Sequence, residues 1–206
     1  MDSPQISPIV VPDYLIYEIM DGKPIYYRGY KDVLRKLKTF EEIMASSSLQ
    51  SEIIDYLLGI FYGKVNRKKY RIYTNEIGAH ISKRNNLSCD ISIFDKTVLT
   101  SDMVEVKYPT VPSKLVVEVD TKGDVAELGF EQYVHRKTQK LLDFGTEKVI
   151  WIFTTSRKVM IAEAGKDWIT TDWNRNHELW EGNTFNVAEY LEAEGIRLPP
   201  DEPIEA

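Results

Sequence analysis

The sequence predicts a mixed α/β domain, a β-sheet with helices packed on it. Three observations carry that reading. Lys114–Asp120 and Val149–Phe153 are short runs dense in Val, Leu and Ile, the pattern of strands buried on both faces. Between them, residues 125–144 keep helical spacing. Ahead of both lie β-prone runs separated by turn dipeptides.

Taken in order, residues 1–12 hold three prolines and read as an irregular arm. Residues 14–30 form a hairpin, because Asp21-Gly22 suits positive φ between two β-prone runs. Residues 31–43 are charged and helical, interrupted near Thr39. A firmer helix follows Ser46-Ser47-Ser48, which offer N-cap hydroxyls, with Leu49, Ile53, Leu57, Ile60 and Phe61 at helical intervals. Strands are expected at Arg71–Thr74, at Ile77–Ser82 and, past Asn85-Asn86, at Cys89–Phe94. The 125–144 helix ends at Gly145 as a C′ residue. Lys158–Ala164 pairs with Val149–Phe153 through the Thr154–Arg157 turn, and a short helix near Val187–Glu194 precedes an acidic, proline-rich tail.

Composition sets the boundaries. With 206 residues, 43% hydrophobic and 28% charged, the chain suits one globular domain. It has no apolar run near the roughly 20 residues that span a bilayer, and no secretory leader pattern. Cys89 is the single cysteine, which excludes an internal disulfide and a multi-Cys zinc site. A cytoplasmic protein is the expectation. The net charge of −6 is localised: from Glu181 onward seven acids face Arg197 alone, leaving 25 charges of each sign in residues 1–180. A neutral body does not coat nucleic acid by bulk electrostatics. Local basic clusters remain, at Lys64–Arg71 and at Arg35, Lys36 and Lys38, and a solvated face accounts for either. The histidines His80, His135 and His177 have no metal-site spacing, no glycine-rich phosphate loop appears, and Trp168, Trp173 and Trp180 read as packing residues.

The informative residues are charges where a core wants apolar groups. Alternation in Lys114–Asp120 places Leu115, Val117 and Val119 on one face and Val116, Glu118 and Asp120 on the other. Removing an ionised carboxylate from water costs several kcal/mol unless something compensates it. Asp90 shares a strand face with Ser92 and Phe94, opposite Cys89, Ile91 and Ile93. Lys137 falls in the middle of the stripe Phe130, Val134, Leu141 and Phe144, a position fit for an apolar residue. It either snorkels to solvent or reaches an acidic cluster on the sheet. Hard oxygen ligands on adjacent strands suit Mg²⁺, which keeps waters and takes one or two carboxylates plus a substrate phosphate.

Asp90, Glu118-Val119-Asp120 and Lys137, in that order, resemble the PD-(D/E)XK nuclease superfamily. More closely, the chain is similar to the bacterial Uma-two family of candidate restriction endonucleases. The matching segments are Cys89–Ile93, Val117–Asp120, Lys137 to Gly145 and Val149–Phe153, together with Ser46–Ile54 as a leading helix. The likeness spans roughly residues 14–165. It implies a restriction-endonuclease-like mixed β-sheet core flanked by helices, with an N-terminal hairpin and a C-terminal β-extension over 166–206, all in one domain. It also implies a Mg²⁺-dependent (or Mn²⁺-dependent) endonuclease acting on duplex DNA, with no membrane association. Asp90 and Glu118 would be metal ligands, Asp120 an auxiliary ligand, Lys137 the transition-state cation, and Glu52 on the leading helix a further ligand. This chain departs from the family at Cys89, Asp120, Gln50 and Leu141, where proline, lysine, histidine and tyrosine are usual. Two-strand cleavage calls for two active sites, so a homodimer is expected. The alternative is a nuclease fold that does not cut and serves as a binding or scaffolding module.

Overall fold

At Asp21 and Gly22 the backbone takes φ of 56° and 77°, and this turn joins β1 (Ile16–Met20) to β2 (Lys23–Tyr26) as the hairpin predicted. The computed structural model describes residues 10–199. Most of the expected N-terminal arm, and the prolines and acids after residue 199, lie outside the described residues. Two short helices follow, α1 (Tyr30–Leu34) and α2 (Glu41–Met44), parted around Thr39 as expected. Helix α3 (Ser48–Lys64) starts where Ser47 Oγ accepts the Gln50 N–H at 3.1 Å.

The two runs expected at residues 71–74 and 77–82 are one strand, β3 (Tyr70–Ser82), paired antiparallel with β4 (Asn85–Asp95). Its register shifts between Thr74 and Ile77, where Asn75 and Glu76 both adopt positive φ, 68° and 55°. That is a bulge in a conformation most L-residues avoid. Strand β5 (Leu115–Val119) is buried at every position and ends at Asp120, whose φ of 58° turns the chain out of the sheet. Helix α4 (Phe130–Phe144) begins later than residue 125, because Val125–Gly129 is a turn; Gly145 caps it with φ of 115°. Strands β6 (Lys148–Phe153) and β7 (Lys158–Glu163) pair through the predicted turn. The C-terminal part adds β8 (Ile169–Asp172) to the main sheet, then the hairpin β9 (His177–Trp180) and β10 (Asn183–Phe185), then α5 (Val187–Ala193).

The main sheet runs β2-β1-β4-β5-β6-β7-β8, with β3 on the other edge of β4. Among the described residues β5 and β6 are its parallel pair, as a crossover through α4 requires. One face buries Ile53, Leu57 and Phe61 of α3 and Leu191 of α5 against Ile91, Ile93, Val117, Val119 and Ile150. The other buries Val134 and Leu141 of α4 against Leu87, Cys89, Val116 and Trp151. Helices thus cover both faces, the mixed α/β architecture predicted. No helix among the described residues is long and apolar enough to cross a membrane.

The gap that positions the site is in β4. One edge pairs with β3 throughout, while the other meets β1 at Asn86 and β5 at residues 91–93. Between those contacts the strands splay apart, and side chains take over the backbone's hydrogen bonds.

Candidate active site

Lys137 lies in this gap and is fully buried. Its Nζ donates to Ser88 O at 2.5 Å and to Tyr133 Oη at 3.4 Å. It stands 3.1 Å from Glu118 Oε1 and 3.3 Å from Glu18 Oε2. Glu18 Oε2 also accepts the Ser88 N–H at 3.2 Å, so Ser88, deprived of a strand partner, is satisfied by the same ion cluster. The rings of Tyr17, Tyr133 and Trp151 enclose the ammonium at 5.5–5.8 Å. The lysine does not snorkel.

One cation here faces two carboxylates, and Glu118 carries the imbalance. Burial pushes its carboxyl up to about 8, against the pull of Lys137 and with help from Asp90. Burial alone would depress Lys137, but Glu118 and Glu18 outweigh it and hold the ammonium well above its ordinary range. Glu118 Oε1 is near the ammonium yet outside hydrogen-bond geometry.

Asp90 sits on the other side of the gap. Its Oδ2 accepts the Val119 N–H at 2.7 Å and faces Gln50 Nε2 at 3.5 Å; the same amide donates to Val119 O at 2.8 Å. Burial raises the Asp90 carboxyl, opposed by the Val119 N–H. The strand-face expectation for Asp90 is corrected here. Cys89 packs beneath α4 whereas Ile91 and Ile93 pack beneath α3, so alternation breaks at Asp90, opposite the β3 bulge. Asp90 opens instead into a cavity of about 320 Å³ shared with Glu76, Lys122, Asp55 and Ser51. Lys122 and Glu76 form an ion pair there.

Two predicted residues are elsewhere. Asp120 turns away with the backbone: Oδ1 accepts the Thr154 N–H at 2.9 Å and Oδ2 the Thr154 hydroxyl at 2.5 Å. Glu52 accepts the Tyr190 hydroxyl at 2.7 Å, beside stacked Tyr56 and Tyr190. Glu18 is the partner that sequence reasoning missed. Its signal was a lone acid between Tyr17 and Ile19 in an otherwise apolar strand.

Among the described residues no group of three or more His, Cys, Asp or Glu forms a metal cage. Asp90 opens into the 320 Å³ cavity, whereas Glu118 is buried beside Lys137. Asp90 and Glu118 flank Val119 on neighbouring strands, and Glu118 Oε1 has no hydrogen-bond partner among the described residues. Carboxylate oxygens are the kind of hard ligand that Mg²⁺ takes, and Asp90 is the acid of this pair that reaches the cavity.

A mixed sheet with helices on both faces, split beside a buried lysine, makes this an α/β fold. The chain matches a solved structure of a candidate nuclease belonging to DUF820 from Anabaena variabilis, at 12% identity and a TM-score of 0.62, over 85% of this chain and 89% of that one. No family model and no curated protein matches the chain.

Proposed function

We propose that the protein is a Mg²⁺-dependent endonuclease that hydrolyses phosphodiester bonds in duplex DNA, of the Uma-two kind within the PD-(D/E)XK superfamily, working as a homodimer. The observation that carries this is Lys137, buried between Glu18 and Glu118 across the gap from Asp90. A buried ion cluster is a poor way to stabilise a fold, since well-packed apolar residues do as well or better. In this reading the cluster serves chemistry.

In this reading Asp90 and Glu118 hold the metal, which when bound would acidify a water and neutralise charge building on the phosphate. Lys137 has no exposed atom with which to touch a phosphate. It is therefore a positioning residue, fixing the Glu118 carboxylate while Tyr133 and Ser88 fix the lysine. Gln50 locks the Asp90 side chain against β5. The wall of the Asp90 cavity is acidic, with Asp55, Glu76 and Asp90 against Lys122, itself paired with Glu76, so a phosphate would be held there through the metal. Incubation with supercoiled plasmid and Mg²⁺ or Mn²⁺ tests the proposal; nicking and linearisation are expected from the wild type and neither from Asp90→Asn. Activity that survives this substitution would overturn it.

The enclosure of Lys137 and Glu118 favours a second reading, a nuclease fold that binds without cutting. Calorimetric titration with Mg²⁺ in the presence of DNA separates the two: heat from millimolar metal supports the nuclease, and none supports the binding module.

A further inference from the structure

The cavity beside Asp90 already contains a positive charge. Its wall carries Asp55, Glu76 and Asp90, and the cation among the lining residues is Lys122. Lys122 Nζ donates to Glu76 Oε1, and Tyr27 Oη donates to Glu76 Oε2 at 3.5 Å, so both oxygens of that carboxylate are engaged. The pair is largely enclosed, with the lysine side chain 14% exposed and the glutamate 27%. Charges withdrawn from water in this way are weakly screened. Asp90 feels the ammonium: burial raises its carboxyl, while the Val119 N–H, Lys137 and Lys122 draw it down.

The backbone holds both partners in place. Glu76 enters the cavity from the bulge in β3, where it and Asn75 keep a left-handed conformation that costs energy. Lys122 follows Asp120, whose positive φ takes the chain out of β5. Its segment is then tied to the end of β2. The Arg28 N–H donates to Lys122 O at 2.7 Å and the guanidinium to Thr121 O at 3.2 Å, while the Asp124 N–H donates to Tyr26 O at 2.7 Å. Gly123 bridges Tyr27 between them. Lys122 is a fixed cation, unlike a lysine on an open surface.

We propose that Lys122 is the resident cation of the Asp90 cavity, which competes with the divalent metal and sets how tightly the metal binds. A divalent ion on Asp90 meets the ammonium's repulsion, and Glu76, the acid that could share its charge, is spent on the same ammonium. The inference rests on the nuclease reading for its metal and deepens it: the ion binds only as Lys122 gives way, so metal affinity in the native chain is held down by one side chain.

Calorimetric titration of the full chain with Mn²⁺, without nucleic acid, tests this on the wild type, Lys122→Gln, Lys122→Arg and the double variant Lys122→Gln with Asp90→Asn. Both replacements of Lys122 keep a hydrogen-bond donor for Glu76, so each should fold. Lys122→Gln removes the charge and should bind Mn²⁺ at least about tenfold more tightly than the wild type. Lys122→Arg keeps the charge and should bind no more tightly. Asp90→Asn should cancel the gain, which places the ion in this cavity. Equal binding by the wild type and Lys122→Gln would overturn the inference and leave the nuclease reading. A gain that survives Asp90→Asn, or that Lys122→Arg shares, would overturn it as well. Binding by Lys122→Gln and none by the wild type would uphold the inference and remove the nuclease reading of the native chain. Absence of binding in both removes both.

Discussion

Glu18 Oε2 lies 3.3 Å from Lys137 Nζ, so the lysine of α4 is gripped from β1 as well as from β5. The hairpin is thereby tied to the centre of the fold, not merely added to its edge.

Replacing Lys137 by Met leaves two buried carboxylates without their cation. A loss of about 3–5 kcal/mol is expected, read as a lower urea midpoint at pH 7.5. Adding Glu18→Gln should restore part of it, because one buried charge then disappears. Equal stability of Lys137→Met and the wild type would contradict the ion cluster.

Asp120→Asn should leave cleavage intact, whereas Asp90→Asn abolishes it, because Asp120 is occupied by Thr154. Asp120→Ala should cost about 1–3 kcal/mol by unpairing the Thr154 N–H. Plasmid nicking and thermal melts on the three variants check this.

Gly78 has no room for a side chain. A Cβ there would stand 2.6 Å from the ring of Tyr108, which covers this part of β3. Gly78→Ala should destabilise the protein, while Gly78→Ala with Tyr108→Ala should cost less than the sum of the two changes. A double-mutant cycle measures that coupling; strict additivity would show that the ring does not rest there.

His177 is buried, with Nε2 3.0 Å from Asp172 O, and burial lowers its pKa below the ordinary histidine value. The unfolded chain therefore binds a proton more readily than the folded one. Stability should fall as pH drops through about 6.5 and be fully recovered above it. His177→Gln should flatten that part of the pH–stability curve; an unchanged slope would rule out this residue as its source.

Much of the architecture is written in local pattern. The Asp21-Gly22 turn, the Ser47 cap, the Gly145 stop and the apolar runs of β5 and β6 each follow from the residues themselves. Lys137 stood out because a stripe of apolar residues was interrupted by a charge. Residues whose conformation is decided elsewhere were less legible. Alternation assigned Asp120 to the face of Glu118, but a left-handed backbone at 120 ends the strand one residue early. It misplaced Asp90 because the bulge at Asn75-Glu76 belongs to a different strand. Glu18 is tied to its partner across the whole fold, a distance no local window sees.

Strand β4 is held by β3 along one edge and by β1 and β5 along the other. Amide hydrogens at Ile91 and Ile93 should consequently be the slowest in the protein to exchange with deuterium, released only by global unfolding. The outer strands β2 and β8 can then fray, and the C-terminal hairpin can breathe, without disturbing the seam where the acids and the lysine meet.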